Sequence, residues 1–236
     1  MEDCKAYEVL ANIYDYLVKD DNVTNIYTDF IKSNISNKDI LEVACGSGEL
    51  GISLANSNYN MDCSDLSGSM IKKALEKKAP NNINFFVMDM LKIDIDKQYD
   101  GIICFCDSIN YLSDIVEVEI FFKQAYDHLK TKGKLIFDMH SEQRLLEFEE
   151  EFIEDGKFDN YYYQWTISSV DDKIYQYFNI LFDNHNYLEQ HVQTVFPLDK
   201  VTNILEKIGF KVDIYDDQDV LKEDLQERYF IVGEKT

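Results

Sequence analysis

Short apolar runs recur along the first 140 residues, at DILEVAC (39–45), YNMDCSD (59–65), INFFVMD (83–89), YDGIICFCD (99–107) and GKLIFDMH (133–140). Each is closed by turn-forming or acidic residues and followed by a segment of helical periodicity, which predicts strands alternating with helices. That rhythm defines an α/β chain with a doubly wound, Rossmann-like sheet. Helices fit Glu8 to Leu17, Val23 to Ser33, Ser69 to Lys78 and Val116 to Leu129, with Gly133 as the stop of the last.

The pattern changes after His140. Three β-type stretches rich in Tyr and Phe appear, YYYQWTISS, KIYQYFNILF and NYLEQHVQTVF, separated by the turn-forming VDDK and FDNHN. They predict an antiparallel meander over residues 141–196, inserted as a lid after the fifth core strand. The α/β pattern then resumes with a helix from Leu198 to Ile208, a Gly209 stop, and two strands, FKVDIYD and ERYFIVGEK, whose short connection suggests an antiparallel pair. The expected organisation is a seven-stranded core of residues 1–140 and 197–236 with the insert between its halves. The acidic run EFEEEFIEDGKFD, Glu147 to Asp159, reads as a solvated helix face or mobile loop.

The chemistry concentrates in ILEVACGSGELG. Gly46, Gly48 and Gly51 form a GxGxxG after a strand, a weak signal by itself, which lets a ligand approach main-chain N–H groups. Two further features sharpen it. Glu42 ends the same strand, where a carboxylate is tolerable beside a cationic amine or sulfonium and unfavourable beside a pyrophosphate. Asp65 ends the next strand, where an acid can accept both hydrogen bonds of a ribose diol, and Asp89 ends the third, where it can accept from an exocyclic adenine amine. Three acids at successive strand ends beside a glycine turn describe a nucleoside pocket with positive charge and no phosphate.

Charge narrows the partner. The 236 residues carry 45 acidic and 23 basic side chains, a net charge of −22, which disfavours broad nucleic-acid binding and favours a small substrate. The five cysteines, at 4, 45, 63, 104 and 106, show no zinc-ligand spacing, so no metal is expected and most read as buried thiols. The acidic N-terminus and the lack of a long apolar run predict no membrane association and a reduced, cytoplasmic setting. A monomer or weak dimer is expected.

With these residues in view, the chain resembles the class I S-adenosylmethionine-dependent methyltransferases. LEVACGSGELG resembles the family's first motif, MDCSDLSGSM its second-strand acid and following helix, VMDM its adenine segment and LKTKGKLIFD the approach to its fifth strand. Ala44 stands where many members carry another glycine. A narrower likeness, to small-molecule N-methyltransferases of the glycine and amino-sugar type, runs through LANIYDYL, CDSINYL, the insertion, and LEQHVQTVFPLDKVTNILEKIGF. The resemblance implies S-adenosyl-L-methionine as cofactor and a small-molecule methyl acceptor, with Tyr14 closing over the cofactor and the insertion roofing the substrate.

Cofactor contacts are accordingly expected from Tyr14, Glu42, Ala44, Gly46, Gly48, Asp65, Leu66, Met70, Asp89, Met90, Cys106 and Asp107. Leu66, Met70 and Met90 also suit ordinary core positions, and Cys106 also reads as a small buried hydrophobe. Methyl transfer mainly requires alignment of a neutral nucleophile; Tyr111, His140 and His191 are the candidate proton acceptors, with Glu189 placed to orient His191. His128 and His185 read as surface positions. Tyr161, Tyr162, Tyr163, Trp165, Tyr175 and Tyr177 could cage a cationic amine, though most fit simple burial in a thin sheet. An RNA methyltransferase and a cofactor-binding regulatory protein remain alternatives; the chain lacks a basic extension and reads CDSINY where many nucleobase N-methyltransferases carry an NPPY-like motif. A dehydrogenase fits least.

Overall fold

The computed structural model describes residues 2–3 and 7–236, so Cys4 lies outside the described residues. In chain order the elements are β1 (Glu2–Asp3), α1 (Tyr14–Val18), α2 (Asp21–Asn34), β2 (Asp39–Glu42), α3 (Glu49–Asn56), β3 (Asn60–Asp65), α4 (Gly68–Glu76), β4 (Ile83–Val87), β5 (Tyr99–Cys104) and α5 (Ile115–His128). They continue with β6 (Leu129–His140), α6 (Gln143–Glu147), β7 (Phe152–Phe158), β8 (Tyr161–Val170), β9 (Lys173–Phe182), β10 (His185–Thr194), α7 (Leu198–Ile208), β11 (Phe210–Asp216), α8 (Asp217–Val220) and β12 (Arg228–Lys235).

Seven strands form one sheet in the order β11-β12-β6-β5-β2-β3-β4. All pairings from β6 to β4 are parallel, and β12 runs antiparallel to both its neighbours, to β11 as the sequence suggested and to β6 as well. The order reverses between β2 and β5, the switch point where open α/β sheets bind ligands outside the strand C-termini. Apolar side chains fill both faces: Leu41, Tyr99, Phe121, Phe122 and Phe137 on one, Tyr27, Ile31, Ile40, Leu54 and Met61 on the other. Short polar side chains start the helices: Asp20 caps α2, Ser67 caps α4 and Asp114 caps α5, each accepting from backbone N–H groups of the first turn.

The second sheet has the order β1-β10-β9-β8-β7, antiparallel except where β1 joins β10. Its β7 lies inside the acidic run that reads as helix or loop. Pairing of Phe152 through Phe158 with Ile167 through Tyr161 overrides the local charge pattern.

Two further expectations fail locally. The helix over Glu8 to Leu17 is broken into a 3-10 turn, Leu10–Asn12, and α1. The reason is Glu189, whose carboxylate accepts the backbone N–H groups of Tyr7, Val9 and Leu10 at 2.8, 2.5 and 2.8 Å and bends the segment around itself. Gly133 does not stop α5, which ends at His128. It lies within β6, where an added Cβ would come within 2.8 Å of the Lys130 carbonyl, and the reversal is made by Lys132 at φ +63°.

Candidate active site

A cavity of about 1260 Å³ opens over the C-terminal ends of β2, β3, β5 and β6, between the large sheet, the segment from Tyr7 to Asp20, and the small sheet. Single-ligand pockets hold roughly 300–1,000 Å³, so this one has room for two molecules side by side.

The glycine loop forms one wall. Ala44, Gly46 and Gly48 all take left-handed conformations, at φ +52°, +55° and +82°. Glycine is required at the last, because a Cβ there would sit 2.6 Å from the Phe85 ring. Gly48 then caps α3, whose first residues Glu49 and Leu50 line the cavity. Asp65 clamps the loop: Gly46 N–H donates to one carboxylate oxygen and Ser67 N–H to the other, both at 2.8 Å. A carboxylate accepts about four hydrogen bonds, so two acceptor sites remain for a diol, which is the fit a ribose needs. Asp89 is exposed at the cavity rim two residues past β4, one oxygen accepting from Leu91 N–H at 2.9 Å. Leu66 is exposed into the cavity at 71 %, whereas Met70 is buried and Met90 half-buried; all three line it.

Glu42 is buried below the loop and still lines the cavity. Cys63 Sγ donates to its Oε2 at 3.3 Å, and the Gly51 backbone also bonds to it. An added Cβ on Gly51 would come within 2.5 Å of both Glu42 Oε2 and Cys63 Sγ. Burial raises the Glu42 pKa from 4.5 to about 8. A raised acid binds its proton more tightly in the folded state, so its contribution to stability is full below about pH 4.5 and is lost as the pH climbs toward 8. Burial, then the Asp107 charge, also raises Asp138, to about 7, with the same sign. The ligand-free protein is therefore expected to lose urea resistance between pH 5 and pH 8, and Glu42→Gln to flatten that decline partly; an identical profile in the variant would show that Glu42 keeps its ordinary pKa.

The N-terminal segment covers the loop. Tyr14 lies over Gly46, its ring 3.9 Å from where a Cβ would stand. Behind it, Ser47 Oγ donates to Asp15 at 2.5 Å, and Lys77 bridges Asp15 and Glu49 at 2.7 and 2.5 Å. This latch ties α1 to α3 and to the end of α4.

At the far end, Cys106 and Asp107 follow β5 in consecutive left-handed conformations, φ +60° and +56°. Cys106 is exposed to the cavity rather than packed away, unlike the buried Cys45, Cys63 and Cys104. Asp107 faces Arg228 at 3.1 Å and His140 Nδ1 at 3.4 Å. Burial pushes the Asp107 carboxyl up, but Arg228, His140 and Arg144 together hold it below the usual range. His140 is buried, with Nε2 3.2 Å from Gln193 Oε1 and its pKa lowered by burial. Tyr111 Oη lies 3.2 Å from His191 Nδ1, whose Nε2 is 3.5 Å from Glu189 Oε2. The small sheet contributes Trp165, Ile167, Ile174, Gln176 and Phe178. Of the six candidate cage residues, Trp165 alone lines the cavity; Tyr163 is buried against Leu10, Ile13 and Phe178. His128 is half-buried at its helix end, and His185 is exposed at the start of β10 rather than in a turn.

Sequence reasoning missed Tyr7 and Arg228. Arg228 opens β12, whose residues read only as a strand, yet it donates to Tyr27 Oη at 2.9 Å and pairs with Asp107. An arginine at the start of an otherwise apolar strand was the available signal.

Comparison with known proteins agrees with this geometry. The family model described as a methyltransferase domain matches residues 40–133. The Bacillus subtilis protein named "Putative methyltransferase YqeM" is 29% identical over 215 residues, covering 87% of each chain. The glycine/sarcosine N-methyltransferase of Halorhodospira halochloris is 27% identical over 208 residues, 83% of this chain and 75% of that protein. Among solved structures, an S-adenosylmethionine-dependent methyltransferase from Clostridium acetobutylicum shares the fold with a TM-score of 0.77 at 23% identity, over 97% of this chain and 98% of that one. Residues 40–133 thus match a methyltransferase domain, and the chain is similar over most of its length to methyltransferases, with S-adenosylmethionine as the cofactor this similarity supports.

Proposed function

We propose that the chain methylates a nitrogen atom of a small-molecule acceptor. The observation that carries this reading is the part of the cavity lined by the small sheet, where Trp165, Ile167, Ile174 and Phe178 stand beside the Tyr111–His191 pair at 3.2 Å. Such an apolar lining suits a small molecule better than a polymer strand, and the glycine/sarcosine N-methyltransferase relative supports nitrogen. Residues 141–196 act as the lid in this reading, and residues 1–140 with 197–236 as the cofactor-binding core.

S-adenosylmethionine, when bound, supplies an electrophilic methyl group carried on a sulfonium. The chain's own residues hold and orient. Asp65 takes the ribose diol with its free acceptor sites, Asp89 the adenine amine, and the backbone of Ala44, Gly46 and Gly48 the rest of the nucleoside end. Leu66, Met70 and Met90 flank the base, Cys106 and Asp107 border the reacting end, and Tyr14 covers it. Glu42 fixes the loop from below through Gly51. Alignment of this kind is worth roughly 7 to 11 kcal/mol, so Tyr111 and His191 need only remove the proton the nitrogen sheds, and His140 is held for structure or proton storage by Gln193 and Asp107.

A panel of primary and secondary amines, assayed by S-adenosylhomocysteine release, tests the reading. Turnover of at least one amine is expected, with Tyr111→Phe lowering kcat about tenfold, below the 10²-fold or more of an obligatory base, and leaving cofactor affinity unchanged. Turnover of RNA with none of any amine would contradict it.

A further inference from the structure

The Tyr7 hydroxyl lies 2.7 Å from that of Tyr111, and the Tyr7 ring packs edge-on against His191 at 4.6 Å and Tyr14 at 5.7 Å between centroids. Tyr7 is thus the outer member of a chain, Tyr7 Oη, Tyr111 Oη, His191 Nδ1, that ends where His191 Nε2 faces Glu189. We infer that Tyr7 is a positioning residue of the acceptor site, whose hydroxyl donates to Tyr111 and thereby sets the direction in which a proton travels along that chain. The inference rests on the reading of Tyr111 and His191 as acceptor-site groups.

Three observations carry it. Glu189, buried at 0 % exposure on β10, accepts the N–H groups of Tyr7, Val9 and Leu10, so one carboxylate both places Tyr7 and faces His191. A carboxylate at that position favours a proton on Nε2, which leaves Nδ1 as an acceptor for the Tyr111 hydroxyl. Second, Tyr7 holds a left-handed backbone, φ +62°, an uncommon conformation for a bulky residue, and the Glu189 bonds fix it there. Third, both phenols line the cavity, and burial raises them, Tyr7 well above 10 and Tyr111 to about 12, so both stay protonated, Tyr111 as the relay and Tyr7 as its hydrogen-bond donor. Donation from Tyr7 works against that rise at Tyr111, while the Asp107 and Asp65 charges add to it.

The balance is one proton. When the acceptor nitrogen has gained its new bond and carries a positive charge, an N–H bond breaks and its proton passes to Tyr111 Oη. The original Tyr111 proton passes to His191 Nδ1, giving an imidazolium that faces Glu189. Tyr7 keeps its proton throughout. The relay requires an acceptor with an N–H to lose, a primary or secondary amine.

The test uses the full chain with ¹⁵N-labelled histidine, saturated with S-adenosylhomocysteine, in wild-type, Tyr7→Phe and Tyr111→Phe forms. Loss of a signal in His191→Gln assigns His191 among the four histidines. Expected are an Nε2–H tautomer with a hydrogen-bonded Nδ1 in the wild type, a shift of Nδ1 to the unbonded value in Tyr111→Phe, and a smaller shift in the same direction in Tyr7→Phe. Circular dichroism and cofactor affinity should match the wild type, because phenylalanine keeps the ring contacts. An unmoved Nδ1 signal in Tyr7→Phe would overturn the role of Tyr7 alone, while an Nδ1–H tautomer in the wild type would overturn the reading of His191 as proton acceptor as well.

Discussion

Asp65→Ala is expected to raise the dissociation constant for S-adenosylhomocysteine about 100-fold, since each hydrogen bond to a charged group contributes roughly 1.5–3 kcal/mol and tenfold in affinity is about 1.4 kcal/mol. Two losses combine. The first is the pair of acceptor sites left free on Asp65 after Gly46 and Ser67 have taken theirs. The second is the clamp itself, since without it Gly46 must hold its left-handed conformation unaided. Burial raises the Asp65 pKa while the two N–H donors oppose that rise, so removing either donor also weakens the acid as an acceptor. Asp65→Asn should fall between wild type and alanine, because one amide oxygen survives while the NH₂ meets an N–H donor. Calorimetry on variants with unchanged circular dichroism measures this. Wild-type affinity in Asp65→Ala would mean that the ribose lies elsewhere.

Arg228→Met should be the most destabilising single change near the site, by about 3–5 kcal/mol, the usual cost of breaking a buried ion pair from one side. Arg228 binds Asp107 at 3.1 Å and Tyr27 at 2.9 Å, and Asp107 N–H in turn donates to Asp138 at 2.9 Å. Removing the guanidinium leaves two carboxyl groups buried side by side, and Asp107 loses the charge that chiefly holds its pKa down. At 2–4 °C per kcal/mol for a chain of about this length, the melting temperature should drop by roughly 6–20 °C. The double variant Arg228→Met, Asp107→Asn should recover part of the loss, because it removes the unpaired charge. A melting temperature within a degree of wild type would show the pair to be solvent-relaxed.

The core of this fold was legible because its signals are local. The five apolar runs, the acids at 42, 65 and 89, and the glycine turn each follow from a few adjacent residues, and β2 to β6 appear where those runs place them. The insert was legible as three strands. Its fourth, β7, was not, because FIEDGKF carries alternation too weak to outweigh its charges and is held by pairing with β8. The N-terminal segment misled for a related reason. Its helical spacing is real, but a carboxylate 180 residues away captures its backbone N–H groups. The site divides the same way. Asp65 announces itself by following a strand and preceding a helix, whereas Tyr7, Arg228 and the burial of Glu42 depend on contacts between distant segments.

Calorimetric titration of the purified chain with S-adenosylmethionine, S-adenosylhomocysteine and NAD tests the cofactor pocket most directly. Micromolar binding of both adenosyl ligands and no heat with NAD is the predicted result; binding of NAD, or of neither class, would contradict the pocket built from Gly46, Gly48 and Asp65.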